Sequence, residues 1–81
     1  MMRVVKLKHI KYDNSLSEKH YYFKTVDADV EVDTLVMCNT SEGSTIGRVL
    51  EIYTSIQELV KIKDLPYMQN LKECRRLYAQ M

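Results

Sequence analysis

Tryptophan is absent from this chain, phenylalanine and proline occur once each, and glycine and cysteine only twice each. With so little proline and glycine, no flexible linker or low-complexity segment is present, and 81 residues fold as one domain. Cys38 and Cys74 are far apart in sequence and form no CxxC pair. That excludes a disulfide framework and a zinc-ribbon spacing, and it predicts reduced, buried thiols. No apolar run approaches the roughly 18 residues of a membrane span. The start, MMRVVKLKHIKY, has lysines among its apolar residues, unlike the unbroken apolar core of a signal peptide. The expectation is a cytoplasmic protein that does not enter the membrane.

Catalytic signatures are missing too. There is no GxSxG, HExxH or phosphate-cradling glycine loop. The serines fall in loops, and a barrel of this size is expected to leave little room for the roughly 300–1,000 Å³ of a small-molecule pocket. His9 and His20 lie on strands that could pair, but no thiol or carboxylate stands at ligand spacing, so solvated histidines and no metal are expected. The chain reads as a non-enzymatic binding module without a cofactor.

What is present is alternation. Arg3 to Ile10 and His20 to Val26 read as strands, the second rich in aromatic and β-branched residues. Tyr21, Phe23 and Thr25 would share one face of it and His20, Tyr22 and Lys24 the other. Lys11 to Glu18 has turn chemistry. Leu35 to Asn39 and Thr45 to Tyr53 form a hairpin through Ser41-Glu42-Gly43-Ser44, with Gly43 supplying the positive φ. Ile46, Leu50 and Ile52 are expected on one face of its second strand and Val49 on the other. Gly47 predicts a bulge or a close backbone approach. Glu58 to Lys63 is taken as a short fifth strand, with a helix as the alternative. Asp64-Leu65-Pro66 then opens a helix, with Tyr67, Leu71, Cys74, Tyr78 and Met81 as its apolar stripe. The expected fold is mainly β, a small five-stranded barrel over residues 1–63 closed by a C-terminal helix over 64–81.

The run from Val30, V-x-V-x-x-L-V-x-C-x-T-x-x-G-x-x-x-G-x-V-x-x-I, resembles small Src-homology-3-like barrels. These include the KOW-type modules of ribosomal and transcription proteins and the N-terminal barrel of the primosomal helicase PriA. The run covers about a quarter of the chain, and its second half matches at Gly43, Gly47, Val49 and Ile52. The first half departs, because Val32-Asp33-Thr34 stands where those families carry Gly-Asp. The resemblance implies a barrel fold; for function it is analogy only.

The net charge of +1 conceals three blocks: +4 over residues 1–26, −6 over 27–60 and +3 over 61–81. The acidic stretch Asp27, Asp29, Glu31 and Asp33 has carboxylates at two-residue spacing, about 6.6–6.8 Å along a strand, close to the phosphate repeat of an extended single strand. The run from Asp27 to Asp33 is expected as an exposed connection with Val30 and Val32 turned inward; one reading makes it a protein-binding surface of an adaptor or inhibitor, and the plainer one a charge-protected edge strand or loop. Lys6, Lys8, Lys19, Tyr22, Lys24 and Arg48 combine cations and a ring as single-strand nucleic-acid binders do, against the plainer reading of a solvated strand face. Lys61, Lys63, Lys72, Arg75 and Arg76 make a second basic group of the same two readings. A protein partner is the first expectation and nucleic acid the second. A homodimer through a free edge strand or the C-terminal helix is a third. Size and style suggest a phage or other mobile element as the source.

Overall fold

In the computed structural model, residues 2–62 and 71–78 are described. The alternating N-terminal run forms β1 (Arg3–His9), and the aromatic run forms β2 (Tyr21–Thr25). β3 (Leu35–Thr40) and β4 (Gly43–Tyr53) are the expected hairpin. A single helical turn, α1 (Ile56–Leu59), follows, and β5 (Cys74–Arg76) completes the sheet. The four strand pairings are antiparallel in the order β2-β1-β4-β3-β5, so the two hairpins join through β1 and β4.

Two local devices curl this sheet. Opposite Lys6 and Leu7 of β1, the β4 register jumps from Glu51 to Val49, leaving Leu50 as a bulge. A bulge increases local twist and bends its strand. Three residues earlier, Gly47 lets β1 approach: a Cβ there would lie 2.8 Å from Leu7 Cδ1 and 3.3 Å from the Lys8 carbonyl. Together they fold the sheet into a half-barrel whose edge strands meet, where the Lys24 amide donates to the Lys72 carbonyl at 3.0 Å. The glycine signal therefore marks the close approach, and the bulge sits at Leu50. The bulge also corrects the expected faces of β4. By adding a residue it turns Ile52 inward to pack on the core that includes Val49.

Inside the curl, Val5, Leu7, Phe23, Val30, Val36, Cys38, Val49 and Cys74 form one apolar cluster. Thr25 is the single buried polar side chain among the described residues. Its hydroxyl accepts the Asp27 amide at 3.2 Å, so its polar atom is satisfied. β1 is central, and Val4, on its other face, is also fully buried.

Two expectations about the C-terminal half are corrected. The described residues 58–62 are not the fifth strand; the chain turns helical at Ile56–Leu59, in keeping with the alternative given for this run. Ser55 Oγ accepts the Glu58 amide at 3.2 Å, and Glu58 reaches back to the Thr54 amide at 2.8 Å. This S-x-x-E arrangement is close to a capping box, which favours a helix start over a strand. The helix expected over 64–81 is not found at residues 71–78, where β5 pairs with β3 instead. Residues 63–70 and 79–81 lie outside the described residues. Cys74 does face inward, as the stripe required, but from a strand. No helix among the described residues is long and apolar enough to cross a membrane.

Gly47→Ala should destabilise the fold by about 1–3 kcal/mol, the usual cost of overpacking a filled site, read as a lower urea midpoint with unchanged m. An unaltered midpoint would mean that β1 and β4 separate freely there.

Candidate functional site: a basic and aromatic strand face

Side chains alternate along a strand, so the register decides which residues share the sheet's outer surface. Lys6 stands directly opposite Tyr22 on β2 and Glu51 on β4. Lys24 is opposite Val4, and Lys8 is opposite Arg48. Lys6, Lys8, Tyr22, Lys24 and Arg48 thus come together on one outer face, as their spacing suggested. Lys19 does not join them. It lies exposed in the loop before β2, where its carbonyl accepts the Ser17 hydroxyl at 2.8 Å.

Lys8 and Arg48 are like charges across a strand pair, an arrangement that destabilises a sheet. Among the described residues no carboxylate forms an ion pair with either. A face that keeps such a pair has unspent attraction for an anion.

Beside the cations the face is aromatic. Tyr22 lies with its ring centre 6.3 Å from Tyr53 and 5.4 Å from His20. These rings, with Lys6, Glu58 and Lys61, border an open groove of about 700 Å³ between the strands and α1. The barrel therefore offers more room than its length suggested. Glu51, the one acid opposite Lys6, accepts a hydrogen bond from the Tyr53 hydroxyl. Burial, and then this carboxylate, push the Tyr53 phenol well above its usual range, keeping it a neutral donor. Sequence reasoning missed Tyr53 as a member of the face, because the Leu50 bulge sets where Tyr53 falls, whereas His20 stands beside Tyr22 as the alternation placed it.

The acidic stretch is an exposed connection, as expected, but its carboxylates do not line up. Residues 26–34 are not a strand but two successive turns, closed by Val30 N–H to Asp27 O at 3.3 Å and Thr34 N–H to Glu31 O at 3.0 Å. Asp33 takes φ 72°, so an aspartate makes the positive-φ turn that glycine would make more cheaply. Val30 turns inward as expected, while Val32 stays exposed. The evenly spaced row of four carboxylates does not form. Asp27 Oδ2 accepts the Arg76 amide at 2.9 Å, and its carbonyl accepts the Arg3 guanidinium. The Asp29 carboxylate takes the Tyr78 hydroxyl and lies 3.9 Å from Arg76 Nη1, which also donates to the Asp29 carbonyl at 2.8 Å. The Arg76 guanidinium in turn lies 5.2 Å from the Tyr78 ring centre. Only Glu31 and Asp33 keep exposed carboxylates free of such bonds.

The second basic group is likewise dispersed. Arg76 is consumed at the acidic turn, Lys61 borders the groove, and Lys63 lies outside the described residues. His9 and His20 do not meet. His9 bonds Thr45 Oγ1 at 3.0 Å and packs on Tyr21, whereas His20 packs on Tyr22.

Two outcomes follow. The Tyr78 hydroxyl, followed by the Arg76 and Arg3 charges, holds the Asp29 carboxyl below its ordinary 3.8. Its stabilisation is therefore complete above pH 3.8 and is lost as pH falls towards the lower folded-state value. Asp29→Asn should flatten the acid limb of a Tm-against-pH curve, and an unchanged limb would remove Asp29 from that role. Lys8→Glu, which replaces repulsion by attraction, should raise stability by about 0.2–1 kcal/mol in urea melts.

Comparison with protein-family models, with curated proteins and with solved structures returns no match to this chain.

Proposed function

We propose that this protein is a non-enzymatic binding module that takes single-stranded nucleic acid on the outer face of β1, β2 and β4. One observation carries the reading. Lys6, Lys8, Lys24 and Arg48 converge on the face that holds Tyr22, with Lys8 and Arg48 directly opposed and without an acidic partner among the described residues. Phosphates track the cations, and bases stack on Tyr22 and Tyr53 at the groove, each worth about 1–3 kcal/mol in such sites.

The competing use of the chain, a protein-binding adaptor or inhibitor presenting Asp27, Asp29, Glu31 and Asp33, has less support. Two of those carboxylates already bond Arg76 and Tyr78. Kinship with Src-homology-3-like barrels rests on the hairpin that runs through Gly43 into Gly47-Arg48-Val49. The functional reading does not depend on it.

Fluorescence anisotropy with labelled single- and double-stranded DNA and RNA, at about 50 and 200 mM salt, tests the proposal. Single strands should bind best, with an affinity that falls steeply with salt. The double variant Lys8→Ala/Arg48→Ala should lower the salt slope by about two. Absence of binding to all four ligands at low salt would overturn the proposal.

A further inference from the structure

Cys38 and Cys74 are separated by most of the second half of the chain, yet the β3–β5 register places them directly opposite each other. The kind of site they occupy follows from one hydrogen bond. The Leu77 amide donates to the Leu35 carbonyl at 2.9 Å, so Leu35 and Leu77 form a hydrogen-bonded pair of the antiparallel ladder. Such pairs alternate with non-hydrogen-bonded ones. Met37–Arg75 is then hydrogen-bonded, while Val36–Arg76 and Cys38–Cys74 are not. An independent contact agrees: the Arg76 amide points away from β3, to Asp27 Oδ2. In a non-hydrogen-bonded pair the Cα atoms approach to about 4.5 Å and the side chains lie closest. That is inside the window of about 4.4–6.8 Å that a disulfide spans. Both side chains face the core, and both are reduced in the structure.

We infer that Cys38 and Cys74 form a modification site, a cross-strand disulfide that staples β5 to β3 when a low-molecular-weight disulfide oxidises it. One cysteine thiolate attacks a sulfur of the oxidant, whose other half leaves as a thiolate and takes up a proton. The second cysteine, losing its proton, attacks the protein sulfur of this mixed disulfide and expels the remaining half. Two protein thiols are oxidised and one small disulfide is reduced to two thiols. The bond would enclose the chain from Cys38 to Cys74, including all of β4 and α1.

Access governs the rate. Cys38 and Cys74 are 0% and 2% exposed, and burial pushes both thiols up to about 12, which leaves almost no thiolate near neutrality. Oxidation must therefore pass through detachment of β5, a strand of three residues. That strand is held by the Asp27 and Asp29 contacts to Arg76 and Tyr78. The site is thus slow in the closed half-barrel and fast once the acidic turn lets go.

The unmodified full-length chain serves for the test, incubated with millimolar oxidised glutathione with and without sub-denaturing urea. Electrospray mass should fall by about 2 Da in the monomer, faster in urea, because two thiol hydrogens are lost. A peptide linking Cys38 to Cys74 should appear in a non-reducing digest. The oxidised monomer should melt roughly 10 °C or more above the reduced one, as a staple that shortens the unfolded chain requires. Asp29→Ala, which leaves both cysteines and the core in place, should speed oxidation severalfold. A stable glutathione adduct or an intermolecular dimer as the main product would overturn the inference. So would a disulfide that lowers the melting temperature, since that would mean the native geometry cannot accept it.

Discussion

The fit of Leu7 against the bare backbone of Gly47 is the contact on which the architecture depends. It sits at the centre of the sheet, where β1 joins the two hairpins, and leaves no space for a methyl group between the strands. Close approach there, with the Leu50 bulge beside it, bends the sheet until β2 and β5 meet. The same bend has a chemical consequence on the other surface. It hides the apolar alternation of β1, β2 and β4 inside and turns their lysines, Arg48, Tyr22 and Tyr53 outward together. Core and candidate site are two sides of one curvature.

The charge blocks of the chain find each other in three dimensions. The acidic turn between β2 and β3 receives Arg3 from the first block and Arg76 from the last. The blocks therefore offset one another at one end of the half-barrel, while the basic strand face at β1 keeps its surplus. Exposed ion pairs such as Asp29–Arg76 contribute little each. The closing strand is held by that pair together with the Tyr78–Asp29 hydrogen bond, and by the partly buried contacts of Asp27 to the Arg76 amide and Thr25 to the Asp27 amide.

Much of this was legible in the sequence, for reasons that can be named. Period-two alternation located β1 to β4, since each sets one face against the core and, Val4 of β1 apart, turns most of the other outward. The same alternation grouped Lys6, Lys8, Tyr22 and Lys24 correctly. Gly43 was readable because its φ of 115° excludes most other residues. Failures came where tertiary contacts decide. The stripe through Cys74 has helical spacing, but Cys74 and the two residues after it are drawn into pairing with β3. Asp33 could not be read as a positive-φ residue, because aspartate adopts that region only when its surroundings demand it. Here its amide is fixed by the Val49 carbonyl at 2.8 Å. One miss was avoidable: Ser55 followed three residues later by Glu58 is a recognisable helix start.

The pairing of β5 with β3 also orders events during synthesis. β5 leaves the ribosome after the other described strands, and until it arrives the outer edge of β3 carries Val36, Met37 and Cys38 with unpaired backbone groups. An uncovered apolar edge of this kind is a template for pairing with another chain. The interval between the emergence of β4 and that of β5 is therefore when a nascent chain is most exposed to its neighbours. Folding that waits for so distant a partner is slow by topology. The closing strand is short, but it acts as the chain's safeguard against its own earlier segments.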